Sequence, residues 1–266
     1  MRSGNKGPLD FEGKTVLITG AAGTIGSAAA AAFFDAGASL VLVDVNMDAL
    51  QKVSAENMFG ERALLVEADV TDETQVRDYV QRAVDRFGSI DVFFNNAGIT
   101  GARMPLTEME IDHFRKLMDV NVTGILLGLK YVLKQMYAQG SGAIINTASQ
   151  KGRVCAAGSG DYAASKCAVI MLTKVAALEA APHHVRVNCI MPGIVHSDMI
   201  LENRKKQNPG MTTEEIAASI QSSLPLGRWC EPSEVADMVM FLASETTSYL
   251  TGTEIRLDGG TTASYL

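Results

Sequence analysis

Residues 15–26 read TVLITGAAGTIG, a short apolar β-branched run that leads directly into a glycine-rich turn. The apolar run is typical of a buried strand, and the alanine-rich segment after the turn predicts a helix from about Ile25 to Asp35. Such a turn lets backbone N–H groups at the helix start approach a phosphate. Taken alone it is a weak indication of phosphate binding, since tight turns also need glycine for steric reasons.

The alternation of strand and helix continues along the rest of the chain. Further apolar runs predict strands at residues 39–43, 63–66, 90–94, 143–147, 185–190 and 254–257. Helical segments separate these runs, including a single long one at 110–139 and another at 161–181. Strands that alternate with helices form a parallel sheet covered on both faces. We therefore expect an α/β fold, a single-domain Rossmann-like doubly wound parallel sheet of seven strands with helices on both faces.

The chain is expected to form one domain over residues 1–266, because no linker, repeat or change of composition divides it. Its polar start, residues 1–8, predicts a loose tail. The segment 194–229 is the longest without a clear strand pattern. A stretch of this kind is typical of a substrate-binding loop, with a purely structural cover as the alternative.

Charge and composition exclude several classes of function. The 30 acidic and 23 basic residues give a net charge of −7, which disfavours nucleic acid or an anionic membrane as partner. No apolar run has the ~18 residues needed to span a bilayer, and the start lacks a signal peptide's apolar stretch. Four cysteines without a C-x-x-C pair are typical of reduced thiols. These features predict a cytoplasmic protein, and the spacing of its histidines predicts no metal site.

Asp44 ends the second predicted strand, eighteen residues after Gly26. Dinucleotide-binding folds place a carboxylate about 20 residues after the glycine turn, where it accepts hydrogen bonds from the adenosine ribose. The same carboxylate repels a 2′-phosphate, and no Arg or Lys lies between Thr15 and Gln51 to bind one. The pattern predicts NAD(H) rather than NADP(H), with a helix-capping role for Asp44 as the alternative.

Tyr162 and Lys166 are four positions apart in a predicted helix, which places both side chains on one face. An ammonium group beside a tyrosine favours the tyrosinate, and a decrease of about 3 units in its pKa needs about 4 kcal/mol. We expect Lys166 and a positively charged nicotinamide ring to lower the pKa of Tyr162 together. Ser149 ends the fifth predicted strand, thirteen residues before Tyr162.

With these residues in this order, the chain resembles the short-chain dehydrogenase/reductase family from about Leu9 to Gly260. The resemblance implies a catalytic tetrad, which comprises Asn121, Ser149, Tyr162 and Lys166. It implies hydride transfer between nicotinamide and a secondary alcohol or ketone, with Tyr162 as general acid/base. Ser149 is then expected to stabilise charge on the carbonyl oxygen, Lys166 to hold the nicotinamide ribose and Asn121 to anchor a water.

The resemblance also implies cofactor contacts at the strand ends. Asn96, Ala97 and Gly98 match the family's Asn-Asn-Ala-Gly motif, and Asp69 matches its adenine-contacting aspartate. The expected set is Thr19, Gly20, Gly23, Thr24, Ile25, Gly26, Asp44, Val45, Asp69, Val70, Asn96, Ala97, Gly98, Tyr162, Lys166, Pro192, Gly193, Val195 and Ser197. The implied strand order, 3-2-1-4-5-6-7, brings the first and fourth strand ends into one crevice.

One position departs from the family's Thr-Gly-x-x-x-Gly-x-Gly turn. Thr24 stands where the family has its middle glycine, while Gly23 comes one residue early. A side chain at this position either crowds the pyrophosphate or adds a hydroxyl contact to it. We still expect binding, because Gly20 and Gly26 remain.

Substrate contacts are expected from Ser149 and Tyr162, from His196 beside the Pro-Gly turn, and from Gln150, for which a surface role is the alternative. No obvious cluster of Arg or Lys marks the expected pocket, which disfavours multiply anionic substrates. The helices at 110–139 and 161–181 carry apolar residues beyond one stripe, which are Leu126, Leu127, Leu129, Val132, Val169, Met171 and Leu172. This excess, and the family's use of both helices as an interface, predict a homotetramer.

The leading hypothesis is an NAD(H)-dependent oxidoreductase that acts on a small secondary alcohol or ketone. One alternative is a 3-oxoacyl carrier-protein reductase, which Asp44 and the acidic surface disfavour. The other is a non-catalytic NAD-binding regulator, which the four intact tetrad positions disfavour.

Overall fold

A computed structural model describes residues 9–263, and the predicted tail at 1–8 lies outside the described residues. One parallel sheet has the order β3-β2-β1-β4-β5-β6-β7. Its strands are β1 (Thr15–Thr19), β2 (Ser39–Asp44), β3 (Ala63–Glu67), β4 (Val92–Asn95), β5 (Gly142–Thr147), β6 (Val185–Pro192) and β7 (Glu254–Leu257). The expected fold class and strand order are confirmed.

Helices cover both faces of this sheet. They are α1 (Thr24–Asp35), α2 (Met47–Glu56), α3 (Glu73–Phe87), α4 (Ile111–Met118), α5 (Gly124–Gln139), α6 (Gly160–Ala180), α7 (Asp198–Gln207), α8 (Thr213–Ser222) and α9 (Pro232–Ala243). Successive strand residues point to opposite faces. Leu17 and Phe93 therefore join an apolar cluster with α3, α5 and α6, while Ile18 and Phe94 join a second one with α1 and α9.

The helix predicted as continuous over 110–139 is interrupted by a π-helical turn, Asp119–Thr123, between α4 and α5. Asn121 lies in this turn and is fully buried. Its Oδ1 accepts the N–H of Ile99 at 2.8 Å, and its Nδ2 donates to the Ile99 carbonyl at 3.0 Å. The wider turn places this side chain against the loop that follows β4, as π turns at functional sites often do.

Much of the apolar excess on the two long helices belongs to the core. Leu127, Leu129, Val132 and Val169 are buried, so the prediction that they form a partner surface was wrong. These helices contact both the sheet and each other, and therefore need more than one apolar stripe. The large apolar side chains that stay exposed on α5 and α6 are Leu126, Met171, Val175 and Leu178.

The segment predicted as a substrate-binding loop, 194–229, contains α7 and α8. It has a small apolar cluster of its own, formed by Ile216, Ile220, Leu224 and Trp229. A capping box between Thr212 and Glu215 starts α8. The segment is therefore folded, and a small apolar core of its own stabilises it.

An ion-pair network joins β7 to α6 and to the loop after β5. The Glu254 carboxylate accepts hydrogen bonds from Arg153, one of them from Nε at 2.6 Å, and lies 3.1 Å from the Lys174 ammonium. Its side chain is 21% exposed. The Arg153 guanidinium, and after it Lys174, hold the pKa of Glu254 at about 2.

We expect Glu254→Gln to lower the free energy of unfolding by about 1–2 kcal/mol at pH 7, a value reduced for solvent screening. Because the folded pKa of this carboxyl is below its unfolded value, its contribution is present above about pH 5 and disappears as pH falls toward 2. Urea unfolding at several pH values measures this. Glu108→Gln, at an exposed carboxylate, is the control. Equal pH dependence of wild type and Glu254→Gln would contradict the assignment.

Candidate active site

A cavity of about 300 Å³ opens at the carboxyl ends of the central strands. The crevice forms where β1 and β4 are neighbours, the topological switch point of a doubly wound sheet. Asp44, Ser149, Tyr162 and Lys166 all line the cavity. Within residues 9–263, no group of three or more His, Cys, Asp or Glu side chains is arranged to hold a metal ion, and no helix is long and apolar enough to cross a membrane.

Most residues predicted to contact the cofactor line this cavity. They are Gly20, Gly23, Thr24, Ile25, Asp44, Asn96, Ala97, Gly98, Tyr162, Lys166, Pro192, Gly193, Val195 and Ser197. The sequence therefore identified side chains that the fold brings to one place. Their contacts with a ligand stay predictions.

Two other residues of the predicted set lie behind the cavity wall. Thr19 is fully buried, and its Oγ1 accepts the N–H groups of Asn96 at 3.0 Å and Ala97 at 3.2 Å. At Gly26 an added Cβ would lie only 2.1 Å from the Gly20 carbonyl oxygen. These two residues hold the turns after β1 and β4 in shape, and do not form the cavity surface.

The remaining three residues, Val45, Asp69 and Val70, lie beyond the edge of the cavity. Val45 is 62% exposed beside Asp44. The Asp69 carboxylate accepts hydrogen bonds from the N–H and the hydroxyl of Thr71, both at 2.8 Å. Val70 is buried against Gly124. A cofactor contact by any of them stays a prediction.

The glycine turn has the shape of a phosphate cradle. Gly20 has a φ of +64°, and a Cβ there would lie 2.9 Å from the Ala97 Cα, so glycine is required both by conformation and by space. Gly23 is the N-cap of α1 and provides no side chain to cap it. The first N–H groups of α1 are therefore available at a wall that Thr24 and Ile25 line, which fits a dinucleotide's pyrophosphate.

Asp44 joins β2 to this turn. Its Oδ2 accepts the N–H of Ala22 at 3.1 Å, and its Oδ1 accepts that of Asn46 at 3.2 Å. The N-cap of α2 is Asn46, whose side chain accepts the N–H of Ala49 at 3.0 Å. The helix-capping alternative for Asp44 was therefore wrong. A carboxylate has about four acceptor positions, so two remain for ribose hydroxyls.

Ser149, Tyr162 and Lys166 meet where β5 ends and α6 begins. The Lys166 Nζ is buried, donates to the Thr147 carbonyl at 2.9 Å and lies 5.6 Å from the centre of the Tyr162 ring. The Ser149 hydroxyl is hydrogen-bonded to Tyr162. A Cβ on Gly98 would be 3.4 Å from the Lys166 Nζ, so the turn after β4 packs closely against this group.

Comparison with known proteins agrees with this arrangement. A family model described as enoyl-(acyl carrier protein) reductase matches residues 20–262. Levodione reductase of Leifsonia aquatica is 40% identical, with 96% of each chain covered. Cis-4-hydroxycyclohexanecarboxylate dehydrogenase of Sinomonas cyclohexanicum is 37% identical, over 95% of this chain and 98% of that one. The chain belongs to the short-chain dehydrogenase/reductase family.

Solved structures with different bound cofactors resemble this dehydrogenase/reductase to a similar degree. NAD⁺-bound xylitol dehydrogenase is 36% identical and has a TM-score of 0.88, with 94% of this chain and 99% of that chain covered. ElxO with NADP bound is 31% identical and has a TM-score of 0.86, with 94% and 99% covered. Both cofactors thus occur among proteins of this likeness, and the fold alone does not choose between them.

The protein alone does not lower the pKa of Tyr162. Burial raises the pKa of Tyr162, and the hydrogen bond from Ser149 lowers it by less. Burial also lowers the pKa of Lys166, to about 8. Burial therefore outweighs every lowering effect on the tyrosine pKa in the protein alone, and the lowering expected from Lys166 together with a nicotinamide ring stays a prediction.

Five residues that line the cavity of this oxidoreductase were not predicted from the sequence. They are Ile99, Thr100, Thr147, Ala148 and Ile200. Thr147 has the clearest role, because its hydroxyl donates to the Asn96 side chain at 3.0 Å while its carbonyl holds Lys166. Its position at a strand end, two residues before Ser149, was a usable signal. No sequence signal indicated Ile200, because nothing in the sequence shows which face of α7 is turned toward the cavity.

Two predicted substrate residues do not line the cavity. Gln150 begins the short 3₁₀ turn after Ser149, and its Oε1 is buried with no hydrogen-bond partner among the described residues. The His196 ring packs on Trp229 with 4.9 Å between ring centres, and its Nδ1 is 3.4 Å from Glu231. Substrate contact by Gln150 or His196 stays a prediction.

Three basic side chains, Arg103, Lys151 and Arg204, lie close enough together for their charges to interact. Burial lowers the pKa of Lys151, and the positive charges of Arg103 and Arg204 lower it further. Lys151 follows Ser149 by two residues, and Arg204 is one helical turn beyond the cavity-lining Ile200. The sequence showed no such cluster, because the three residues come from separate segments.

Proposed function

We propose that this chain is an NAD(H)-dependent oxidoreductase that transfers a hydride between nicotinamide and a secondary alcohol or ketone, with Tyr162 as general acid/base. The observation that carries the proposal is a single cavity lined by Asp44 and the glycine turn and also by Ser149, Tyr162 and Lys166. A nicotinamide cofactor bound there supplies the hydride for reduction and accepts it in oxidation.

Each polar group then has a distinct task. Tyr162 gives its phenolic proton to the carbonyl oxygen in reduction and takes it back in oxidation. Ser149 hydrogen-bonds the same oxygen and stabilises its developing charge. Lys166, with a pKa of about 8, is mostly protonated at neutral pH and holds the nicotinamide ribose. Asn121 anchors a water that links this lysine to solvent, and also fixes Ile99.

The preference for NAD(H) rests on Asp44. Its carboxylate lines the cavity at the end of β2, where a ribose would lie against the glycine turn. Neighbouring Val45 offers no positive charge to a 2′-phosphate. Proteins of this likeness bind either cofactor, so the choice depends on Asp44 and Val45.

The substrate class is tested with a panel of alcohols and ketones. It contains levodione, cyclohexanol, cis-4-hydroxycyclohexanecarboxylate and xylitol, since relatives and solved neighbours act on or are named for such compounds. Each is mixed with NAD(H) or NADP(H), and nicotinamide absorbance is followed. The positive charges of Arg103, Lys151 and Arg204 could bind a carboxylate, so turnover of cis-4-hydroxycyclohexanecarboxylate relative to cyclohexanol tests whether they contact the substrate. Turnover of any compound with NAD(H) supports the proposal, and turnover only with NADP(H) contradicts its cofactor.

Two alternatives are separated by the same panel. The family model's description names an acyl-carrier-protein enzyme, so a 3-oxoacyl thioester belongs among the compounds. Turnover of the thioester alone would favour a 3-oxoacyl carrier-protein reductase. NADH binding without turnover of any compound would favour a non-catalytic regulator.

The proposal includes a homotetramer and a cytoplasmic location. Met171, Val175 and Leu178 follow one face of α6 and stay exposed, and Leu126 is exposed on the adjacent α5. An apolar row of this kind is typical of a partner surface. We expect light scattering to give four times the chain mass, and a monomer would contradict this.

The cysteines, free in the structure, accord with a cytoplasmic location.

A further inference from the structure

A buried carboxylate, Asp161, lies directly before Tyr162 in the first turn of α6 and is fully inaccessible. Its Oδ1 accepts the N–H of Tyr162 at 2.7 Å, and its Oδ2 accepts the N–H of Ala102 at 3.0 Å. A carboxylate is costly to bury unless its oxygens are hydrogen-bonded. One side chain therefore connects the backbone of Tyr162 to the loop that follows β4.

His113 of α4 adds a second bond to the same carboxylate. Its Nε2 is 3.1 Å from the Asp161 Oδ2, and its side chain is 35% exposed. The same Nε2 is 3.3 Å from the Ala102 N–H, which is a donor, and 3.1 Å from the carboxylate, which only accepts. We assign the hydrogen to Nε2, which then donates to Oδ2 and leaves Oδ2, at 3.0 Å, as the acceptor of the Ala102 N–H. The Ala102 N–H and the imidazole thus share one oxygen of Asp161.

The loop held in this way forms part of the cavity wall. Asn121 fixes the backbone of Ile99, and Asp161 fixes that of Ala102, three residues later. Ile99 and Thr100 line the cavity. Two buried side chains therefore hold the cavity wall beside Tyr162: Asn121 on the π turn and Asp161 on α6.

Gly101 allows the carboxylate to approach the loop. A Cβ at this position would lie 2.5 Å and 2.7 Å from the two oxygens of Asp161. Real Cβ atoms do not make such contacts, and both atoms belong to a side chain that is fixed at its other end. Glycine is required at 101 only while Asp161 keeps this position.

We propose that Asp161 is a positioning residue that sets the distance between Tyr162 and the loop Ile99–Ala102, with His113 and Gly101 as its partners. It touches no reacting atom and acts through the two backbone groups it binds. The consequence for the reaction rests on the proposed function, since the position of Tyr162 matters only if it transfers the proton. Because the loop forms the cavity wall next to Tyr162, the effect falls on the substrate more than on the dinucleotide.

The first test is Asp161→Asn. The amide keeps the size of the side chain but has one acceptor oxygen, so it cannot accept from both Tyr162 and Ala102. We expect the KM for the alcohol to rise about tenfold or more, and the dissociation constant of NADH to stay within about twofold. Asp112→Asn, at an exposed carboxylate on α4, is the matched control.

Hydrogen exchange of the 99–105 segment is measured on the same variants and needs no turnover. We expect amide exchange in this segment to become about tenfold faster in Asp161→Asn, because the Ala102 N–H loses its acceptor. If Asp161→Asn does not fold, His113→Gln is used, with a smaller change expected in the same direction. Unchanged exchange together with unchanged KM would overturn the positioning role. Absence of turnover in wild type would instead contradict the proposed function and leave the exchange result decisive for the loop.

A double-mutant cycle tests the contact itself. Gly101→Ala is expected to lower kcat/KM about tenfold in the wild type, because its Cβ displaces either the loop or Asp161. In an Asp161→Ser background the two clashing oxygens are gone, and the same change is expected to cost less than about twofold. Equal costs in both backgrounds would contradict the proposed contact. A protein that is merely destabilised would show additive losses.

Discussion

Replacing Tyr162 by Phe is expected to lower kcat/KM for the preferred alcohol by about 10³-fold. Phe keeps the ring and its packing on α6 but lacks the hydroxyl that exchanges a proton with the substrate oxygen. The Ser149 hydroxyl loses its hydrogen bond to Tyr162 but keeps those to the Pro192 carbonyl and the Lys151 N–H, which hold it at the end of β5. Initial rates with NAD⁺ give the loss, and quenching of protein fluorescence by NADH shows whether the cofactor still binds.

The control for this prediction is Tyr249→Phe, which removes a hydroxyl from a fully exposed side chain. We expect it to leave turnover and NADH affinity unchanged. If Tyr162→Phe kept more than about a tenth of the wild-type kcat/KM, Tyr162 would not be the general acid/base. If it lost NADH binding as well, the loss of rate would report a damaged cavity and would contradict the separate role given to the hydroxyl.

The combined change Asp44→Ala/Val45→Arg is expected to move the ratio of kcat/KM for NAD⁺ over NADP⁺ by at least about 10²-fold toward NADP⁺. This corresponds to about 2.7 kcal/mol. Asp44 repels a 2′-phosphate and hydrogen-bonds a ribose, whereas an arginine beside it pairs with the phosphate. Val45 is exposed, so the arginine has room without repacking the core.

Two variants separate this effect from damage to the fold. Asp48→Ala removes an exposed acid from the first turn of α2 and should not change the ratio. Asp44→Ala alone should lose activity with NAD⁺ without gaining it with NADP⁺, because the Ala22 N–H also loses its acceptor. A ratio that stays within about threefold of wild type in the combined variant would contradict the ribose contact.

The sheet was predictable because its inner strands are buried on both faces. Their residues must then form continuous apolar runs, such as Leu40–Val43, and glycine or a polar residue ends them. The candidate site was predictable for a related reason. Carboxyl ends of parallel strands meet at one edge, so Gly20, Asn96 and Ser149 come together from distant parts of the sequence.

What the sequence did not reveal depends on contacts between elements. No particular residue type marks the π turn at Asn121, and the apolar pattern continues on both sides of it. The sequence therefore predicts one continuous helix there. Partners of Asp161 are 48 and 59 positions away, so no local pattern indicates that this acid is buried. The direction of the Tyr162 pKa shift depends on how deeply the side chain is buried. The spacing of Tyr162 and Lys166 in the sequence gives no information on that burial.

Direct transfer of deuterium from the substrate to the cofactor tests the central proposal most directly. The best alcohol of the panel is labelled at its carbinol carbon, oxidised with NAD⁺ by the wild-type protein, and the NADH is analysed by mass spectrometry and NMR. Hydride transfer within the cavity predicts that each NADH carries the deuterium on the nicotinamide ring, on one face only. NADH without the label, or label released to water, would contradict a hydride-transferring dehydrogenase.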